Sequence, residues 1–365
     1  MSWIKLFLFC CLLCSCQKKT QLIKAHEVVA TRALKQSVEV YKDYVGTITA
    51  KSSIQVHAQV SGILVGQYFM EGQFVQKGDL LLVIDPRPYQ ASLDKAKAEY
   101  FQTFTQLKLA EDTLQRYAKL AEQDYISQLS YDQYMANFLE QKAVVGQSVA
   151  DLENAKINLK YCYIHSPIDA ITGKLQFKPG NYIDTNQDTT LTLLNQIDPI
   201  LVDFSVPETD LFTIQKHFQE CFLKLYIFPT LDRTTCFEGQ LTLIDNQINT
   251  ATGAVLLEGI LDNHDHLLWP GHFVDVRLVL EEKESLILPS QAIGVGQNGH
   301  YVYTINKDME VEVTPVTIGQ RYENGTTSIE SGISTNDIIV AQGLLDLYPG
   351  KKVTVQTWLN NKEAL

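Results

Sequence analysis

The residues His264-Asp265-His266, with His272 nearby, are of types that bind metal ions. Two imidazoles in an H-x-H pair reach one ion only if a strand runs straight through them, because alternate residues of a strand share a face. Asn263 to His266 reads as a turn between strands, so no metal site is expected there. The four methionines, Met1, Met70, Met135 and Met309, are scattered, which disfavours a pathway for soft metals. The sequence has no G-x-S-x-G, no H-E-x-x-H and no glycine-rich phosphate loop. Glu281-Glu282 reads as solvated charge at a domain edge. No catalytic, cofactor-binding or metal-binding residue is assigned, and no enzymatic activity is expected.

Cysteine chemistry is concentrated at the start of the chain. Lys5 precedes an apolar run from Leu6 to Leu13, and the run ends in Leu13-Cys14-Ser15-Cys16. Eight apolar residues are too few to span a bilayer, which needs about 20, but they suit an export signal. A small residue before a cysteine resembles the bacterial lipobox. Cys16 fits it, following Ser15, whereas Cys14 follows the bulky Leu13. The diacylglycerol and amide-linked acyl chain of a bacterial lipoprotein on Cys16 would anchor the mature chain stably, where one acyl chain alone binds only marginally. Gln17, the next residue, is not the acidic inner-membrane retention signal of enteric-type sorting. Of the remaining cysteines, Cys162, Cys221 and Cys236, the last two are candidates for a disulfide in an oxidising compartment.

Thirty basic against 42 acidic residues give a net charge of −12, which excludes the electrostatics of nucleic-acid binding. Hydrophobic content of 45% in 365 residues indicates a globular chain with room for several domains.

Between Arg87 and Asn158 the only helix breakers are Pro88, tolerated in a first turn, and Gly146. Leu93, Tyr100, Leu107, Leu114 and Ala121 recur every seven residues, with Ala96, Thr103, Ala110 and Tyr117 three further on. This is a coiled-coil seam with one polar intruder, Thr103. After a polar break, Gln123 to Leu129, the period resumes at Tyr131, Phe138, Val145, Leu152 and Leu159. Ser130 and Gln133 have the spacing of a capping box opening a second helix. A helical hairpin projecting from the body is predicted.

The flanks of the hairpin repeat each other. Glu71-Gly72-Gln73-Phe74-Val75 before it matches Lys178-Pro179-Gly180-Asn181-Tyr182-Ile183 after it, with Val75 and Ile183 each three residues past the turn glycine. His57 and His165 open the two halves. Neither half carries enough apolar surface for its own core, so each is expected to close on the other and bring Asp85 and Tyr161 together. Val28 to Ala50 and Ile197 to Glu284 read as further β structure, with a short helix from Pro207 to Phe218 and a bend at Gly46.

The two glycine-marked halves resemble a lipoyl/biotinyl domain split in two, with the hairpin where a carrier would present its modified lysine. The loop Asp85-Pro86-Arg87-Pro88-Tyr89 holds no lysine. The arrangement resembles the periplasmic adaptor (membrane fusion) proteins of tripartite efflux pumps, particularly those serving resistance-nodulation-division (RND) transporters. In that family an Arg, a Leu and a Ser spaced R-x3-L-x6-S are implicated in docking to the outer-membrane channel, and Arg116, Leu120 and Ser127 match. A guanidinium can fork onto carbonyls or carboxylates, a leucine can fill a groove, and a turn serine can bond backbone.

The resemblance implies a mainly β, elongated and nested multi-domain fold with an inserted α-helical hairpin. Its parts are a signal peptide (1–15), a tether (16–27), a β-barrel (28–50 and 197–285) and a lipoyl/biotinyl-like domain (51–86 and 160–196). The hairpin (87–159), a membrane-proximal domain (286–358) and a tail (359–365) complete it. It also implies a lipid anchor in the inner membrane, an RND transporter and an outer-membrane channel as partners, and self-assembly as a trimer or hexamer. Three alternatives remain: an adaptor of an ABC-type exporter, a lipoyl or biotinyl carrier component, and a ligand-binding surface lipoprotein.

Overall fold

The computed structural model describes residues 26–186, 190–230 and 235–359. Cys16, Gln17 and the export signal lie outside them. The fold is mostly β, with a long helical hairpin, and the chain divides into two compact units. One is Asp43–Leu278; the other combines both chain ends, and its described residues are 26–42 and 279–359.

In the first unit, helices α1 (Arg87–Ala121) and α2 (Gln128–Tyr161) form the hairpin. At 1.5 Å per residue, the 35 residues of α1 extend about 50 Å. Every seam position predicted for α1 is buried or half-buried, with Leu93, Ala96 and Ala110 innermost. On α2 the partners include the buried Ser148 and Ala155. Ser148 answers the polar intruder: its Oγ lies 2.8 Å from Thr103 Oγ1. The two hydroxyls also reach the carbonyls of Val145 and Tyr100 in their own helices. Thr103→Val alone should therefore cost roughly 0.5–1.5 kcal/mol, whereas Thr103→Val with Ser148→Ala should be neutral or stabilising by urea denaturation, because no polar group is then left without its partner.

The start of α2 differs from expectation. Ser127, not Ser130, is the cap: it is extended (φ −73°, ψ 148°) and its side chain accepts from the Ser130 N–H at 3.2 Å. An S-x-x-S spacing satisfies the same orphan donor that the expected S-x-x-Q box would have served, so the helix begins three residues earlier.

At the hairpin base the two flanks interlock, each supplying the strand that the other lacks. Gly62 and Ile63 pair with Ile183 and Tyr182, and Phe74 and Val75 pair with Ile171 and Ala170. Leu80–Ile84 lies along Tyr163–His165, and Ile84 N–H donates to Cys162 O at 2.9 Å. The repeated glycines have left-handed backbones, φ 81° at Gly72 and 98° at Gly180, where a Cβ would be strained. Three residues on, Val75 and Ile183 both enter the shared core with Leu64, Leu82 and Leu194.

The strands Leu34–His57 and Thr190–Pro207 pair from Gly46 to His57. They serve the lipoyl-like halves below a register shift at Ala50/Ser52 and a barrel above it. The barrel continues from Thr190–Pro207 to Ala254–Leu261, Phe237–Asn249, Lys224–Pro229 and the first part (274–278) of Phe273–Pro289. It closes where Ile48 N–H donates to His272 O and Gly271 N–H donates to Ile48 O, both at 2.8 Å. Gly46 marks no bend. It is needed because a Cβ there would stand 2.8 Å from Val276 Cγ2 and 3.0 Å from Asp203 O. The short helix α3 (Glu208–Glu220) buries Ile214.

The second unit corrects the reading of Val28 to Ala50 as wholly a barrel strand. His26–Arg32 pairs antiparallel with Ile338–Gln342 and parallel with Val353–Trp358. Val28 and Ala30 alternate into a core with Tyr303, Val311, Val340 and Val353. This second unit is therefore completed by His26–Arg32, from the other end of the described chain. Local propensity marks these residues as strand without identifying a partner three hundred residues away.

Candidate functional site

The three residues expected to dock flank the turn between α1 and α2, two on the last turns of α1 and one at the start of α2. Tyr125 N–H bonds back to Leu120 O at 3.0 Å, and Asp124 adopts a left-handed backbone (φ 57°), so the chain reverses within Glu122–Ser127. Arg116 and Leu120 are four residues apart and share one face of α1. Arg116 is exposed; its Nε donates to Asp112 O at 3.2 Å, which steadies the stem of the guanidinium. Leu120 is 38% exposed. Ser127, at the amino end of α2, is exposed and already holds the Ser130 N–H. All three are thus placed at the hairpin end, one group able to donate to an acceptor, one apolar, and one a capping hydroxyl.

Two neighbours were not anticipated. Tyr125 is 75% exposed and Leu129 69% exposed, so the turn presents more apolar surface than a polar break implies. Their signal lay within the break itself, where Tyr125, Ile126 and Leu129 interrupt the polar residues. Just inside the tip, Tyr117 and Tyr134 stack with ring centroids 4.1 Å apart. Their hydroxyl contact pushes the Tyr134 phenol upward. This stack holds the two helices in register behind the exposed face.

At the other end of the hairpin, the guanidinium of Arg87 clasps Asp85 through Nε and Nη2, at 2.6–3.1 Å. Those bonds hold the Asp85 carboxyl below its ordinary range. Tyr89 Oη donates to Ser61 O at 2.7 Å. The loop where a carrier would show its lysine is therefore a rigid entry to α1.

The histidines of the barrel turn diverge. His264 Nδ1 lies 2.7 Å from Asp198 Oδ2, while His266 stacks on Phe74 with centroids 6.4 Å apart. Among the described residues no three His, Cys, Asp or Glu side chains are grouped to hold a metal. Asn263 is buried beneath the turn and bonds Ile197 O, Leu268 O and Leu268 N–H. Burial pushes the Asp198 carboxyl up, but the His264 ring and the Asn263 N–H outweigh it, and the net shift is downward. The hydrogen bond and charge of Asp198 raise His264. The histidine's contribution is complete below its ordinary value and lost as pH rises through its raised value; that of Asp198 is lost as pH falls through its lowered one. In Asp198→Asn the titration midpoint of His264, followed by NMR of its ring proton, should move down.

Cys221 and Cys236 do not meet the geometry of a disulfide. Leu225 pairs with Gly239, so Cys236 lies beside the Ile227–Phe228 end of this hairpin and Cys221 beyond its opposite end. Six extended residues separate the two levels by roughly 20 Å, against a Cα separation under about 7 Å in a disulfide. Both thiols are exposed and free, and that of Cys162 is buried.

Comparison with known proteins accounts for most of the chain. Residues 52–195 match the barrel-sandwich hybrid domain of RND membrane fusion proteins, 199–282 their β-barrel domain and 284–345 their C-terminal permuted SH3 domain. The multidrug resistance protein MdtA of Pantoea ananatis is 34% identical over 332 residues, spanning 90% of this chain and 80% of the relative. MdtA of Escherichia coli K12 is 31% identical over 90% of this chain and 79% of its own. Among solved structures, MacA from Actinobacillus actinomycetemcomitans is similar with a TM-score of 0.54 and 22% identity, covering 85% of this chain and 98% of that one. That likeness concerns the fold alone.

Proposed function

The chain belongs to the RND membrane fusion protein family, and from that premise we propose how its parts serve as the periplasmic adaptor of a drug efflux pump. The observation that carries the reading is the hairpin: about 50 Å long, fastened at its base to interlocked β halves, with Arg116, Leu120 and Ser127 exposed at its far end.

In this reading the tip docks on an outer-membrane channel. Leu120 enters an apolar groove, Arg116 bonds acceptors at its rim, and Ser127 holds α2 so that the turn keeps its shape. The barrel and the membrane-proximal unit engage an inner-membrane RND transporter. Cys16, acylated, tethers the chain to the inner membrane, with partner binding holding it there despite Gln17. A trimer or hexamer encloses the conduit, because one hairpin cannot surround a channel.

Purification of the chain from cross-linked envelopes tests the assignment. A proton-driven RND transporter and an outer-membrane channel should be recovered with it. Recovery of an ATPase in place of the RND transporter would replace the reading with that of an ABC-type exporter adaptor. The intact mass should carry acyl chains and no lipoyl or biotinyl group.

A further inference from the structure

One edge of the membrane-proximal unit is built from the turn Asn306–Glu310 and the loop Gly343–Lys352. Three backbone bonds lock them together: Val311 N–H to Lys351 O, Gly350 N–H to Val311 O and Val353 N–H to Met309 O, at 2.8–3.0 Å. Leu344 and Leu347 pack inward. Between and beside them Leu345 is 85% exposed and Tyr348 61% exposed, and Met309 is also exposed. Lys351 Nζ stands 5.5 Å from the centre of the Tyr348 ring and donates to Asp346 O at 2.7 Å.

The first described residue emerges at this same edge. His26 N–H donates to Lys352 O, and its ring Nε2 lies 3.2 Å from Gly343 O. Cys16 stands ten positions before it, a contour of at most about 35 Å. An acyl anchor on Cys16 would therefore keep this edge close to the membrane surface.

We propose that the edge formed by Met309, Leu345 and Tyr348 docks directly on the bilayer surface, with the leucine and tyrosine at headgroup depth and Lys351 beside them. The proposal rests on the reading of Cys16 as acylated. Lys307, Lys351 and Lys352 are offset by Asp308, Glu310 and Asp346, and Lys352 Nζ lies 4.0 Å from Glu310 Oε1. The apolar side chains, not net charge, thus supply the attraction, and a tyrosine with a neighbouring lysine is an arrangement suited to the water–lipid boundary.

The test uses full-length acylated protein in vesicles of phosphatidylethanolamine and phosphatidylglycerol containing a diazirine-bearing phospholipid. Only protein that floats with the vesicles is irradiated, and lipid adducts are located by mass spectrometry. Adducts are expected on Leu345–Tyr348 and at Met309. They should fall about fivefold in Leu345→Asp/Tyr348→Asp, and less in the milder Leu345→Ser, while both variants still float through their acyl chains. Floating protein without adducts on the loop overturns the docking and leaves the anchor intact. Adducts that vanish when the RND transporter is co-reconstituted assign the edge to that protein and also overturn it. Protein that does not float overturns both anchor and docking.

Discussion

Arg116→Asp combined with Leu120→Asp is expected to reduce drug tolerance to that of a strain lacking this adaptor, with normal protein levels and an unchanged urea midpoint. Both side chains are exposed on one face of α1, and Arg116 donates through Nε to a carbonyl of its own helix. Their replacement leaves the seam intact. Central anchors of an interface are worth about 2–4 kcal/mol each, so either change should weaken channel binding by roughly 30- to 1,000-fold. Gln115→Asp, exposed but on a different face of α1 from both residues, should leave tolerance near normal. Tolerance at the unmodified level in the double variant would remove the docking role from these residues.

Leu82→Ala should lower the stability of the first unit by about 3–4 kcal/mol, a large share of the 5–15 kcal/mol typical of a folded domain. Leu82 is 0% exposed, in a strand bonded on one side to Gly62–Gln67 and on the other to Tyr163–His165. It touches core residues from both flanks of the hairpin, so the cavity opens where the halves meet. Loss of tolerance at 37 °C should follow, with a urea midpoint reduced in proportion. A shift below about 1 kcal/mol would mean that the site collapses to fill the void.

The hairpin was legible because its signal is periodic and local. Leu93 through Ala121 announce a packed helical seam by their seven-residue spacing, and the structure buries or half-buries those positions. The interlocked halves were legible through the repeated glycine and the apolar residue three positions on. What stayed hidden depended on distant partners. Nothing in His-Glu-Val-Val-Ala-Thr-Arg says that this strand fits between Ile338–Gln342 and Val353–Trp358. Ser148 gives no sign in sequence that it meets Thr103. The exposure of Tyr125 and Leu129 was masked by their polar neighbours. Gly46 was misread because a close approach by Val276 and Asp203 leaves the same mark in sequence as a bend.

The exchanged strands also govern how the chain acquires its structure. Leu80–Ile84 must find Tyr163–His165 across about eighty residues, and open-chain closure over that distance is entropically unfavourable and slow. Contacts between α1 and α2 are sequential around a tight turn, and helices form within about a microsecond. A coiled coil that zipped from Tyr117 and Tyr134 toward Asp85 would draw the two flanks together and shorten the effective separation to a few residues. In that order of events the long arm is the splint on which its own base is set.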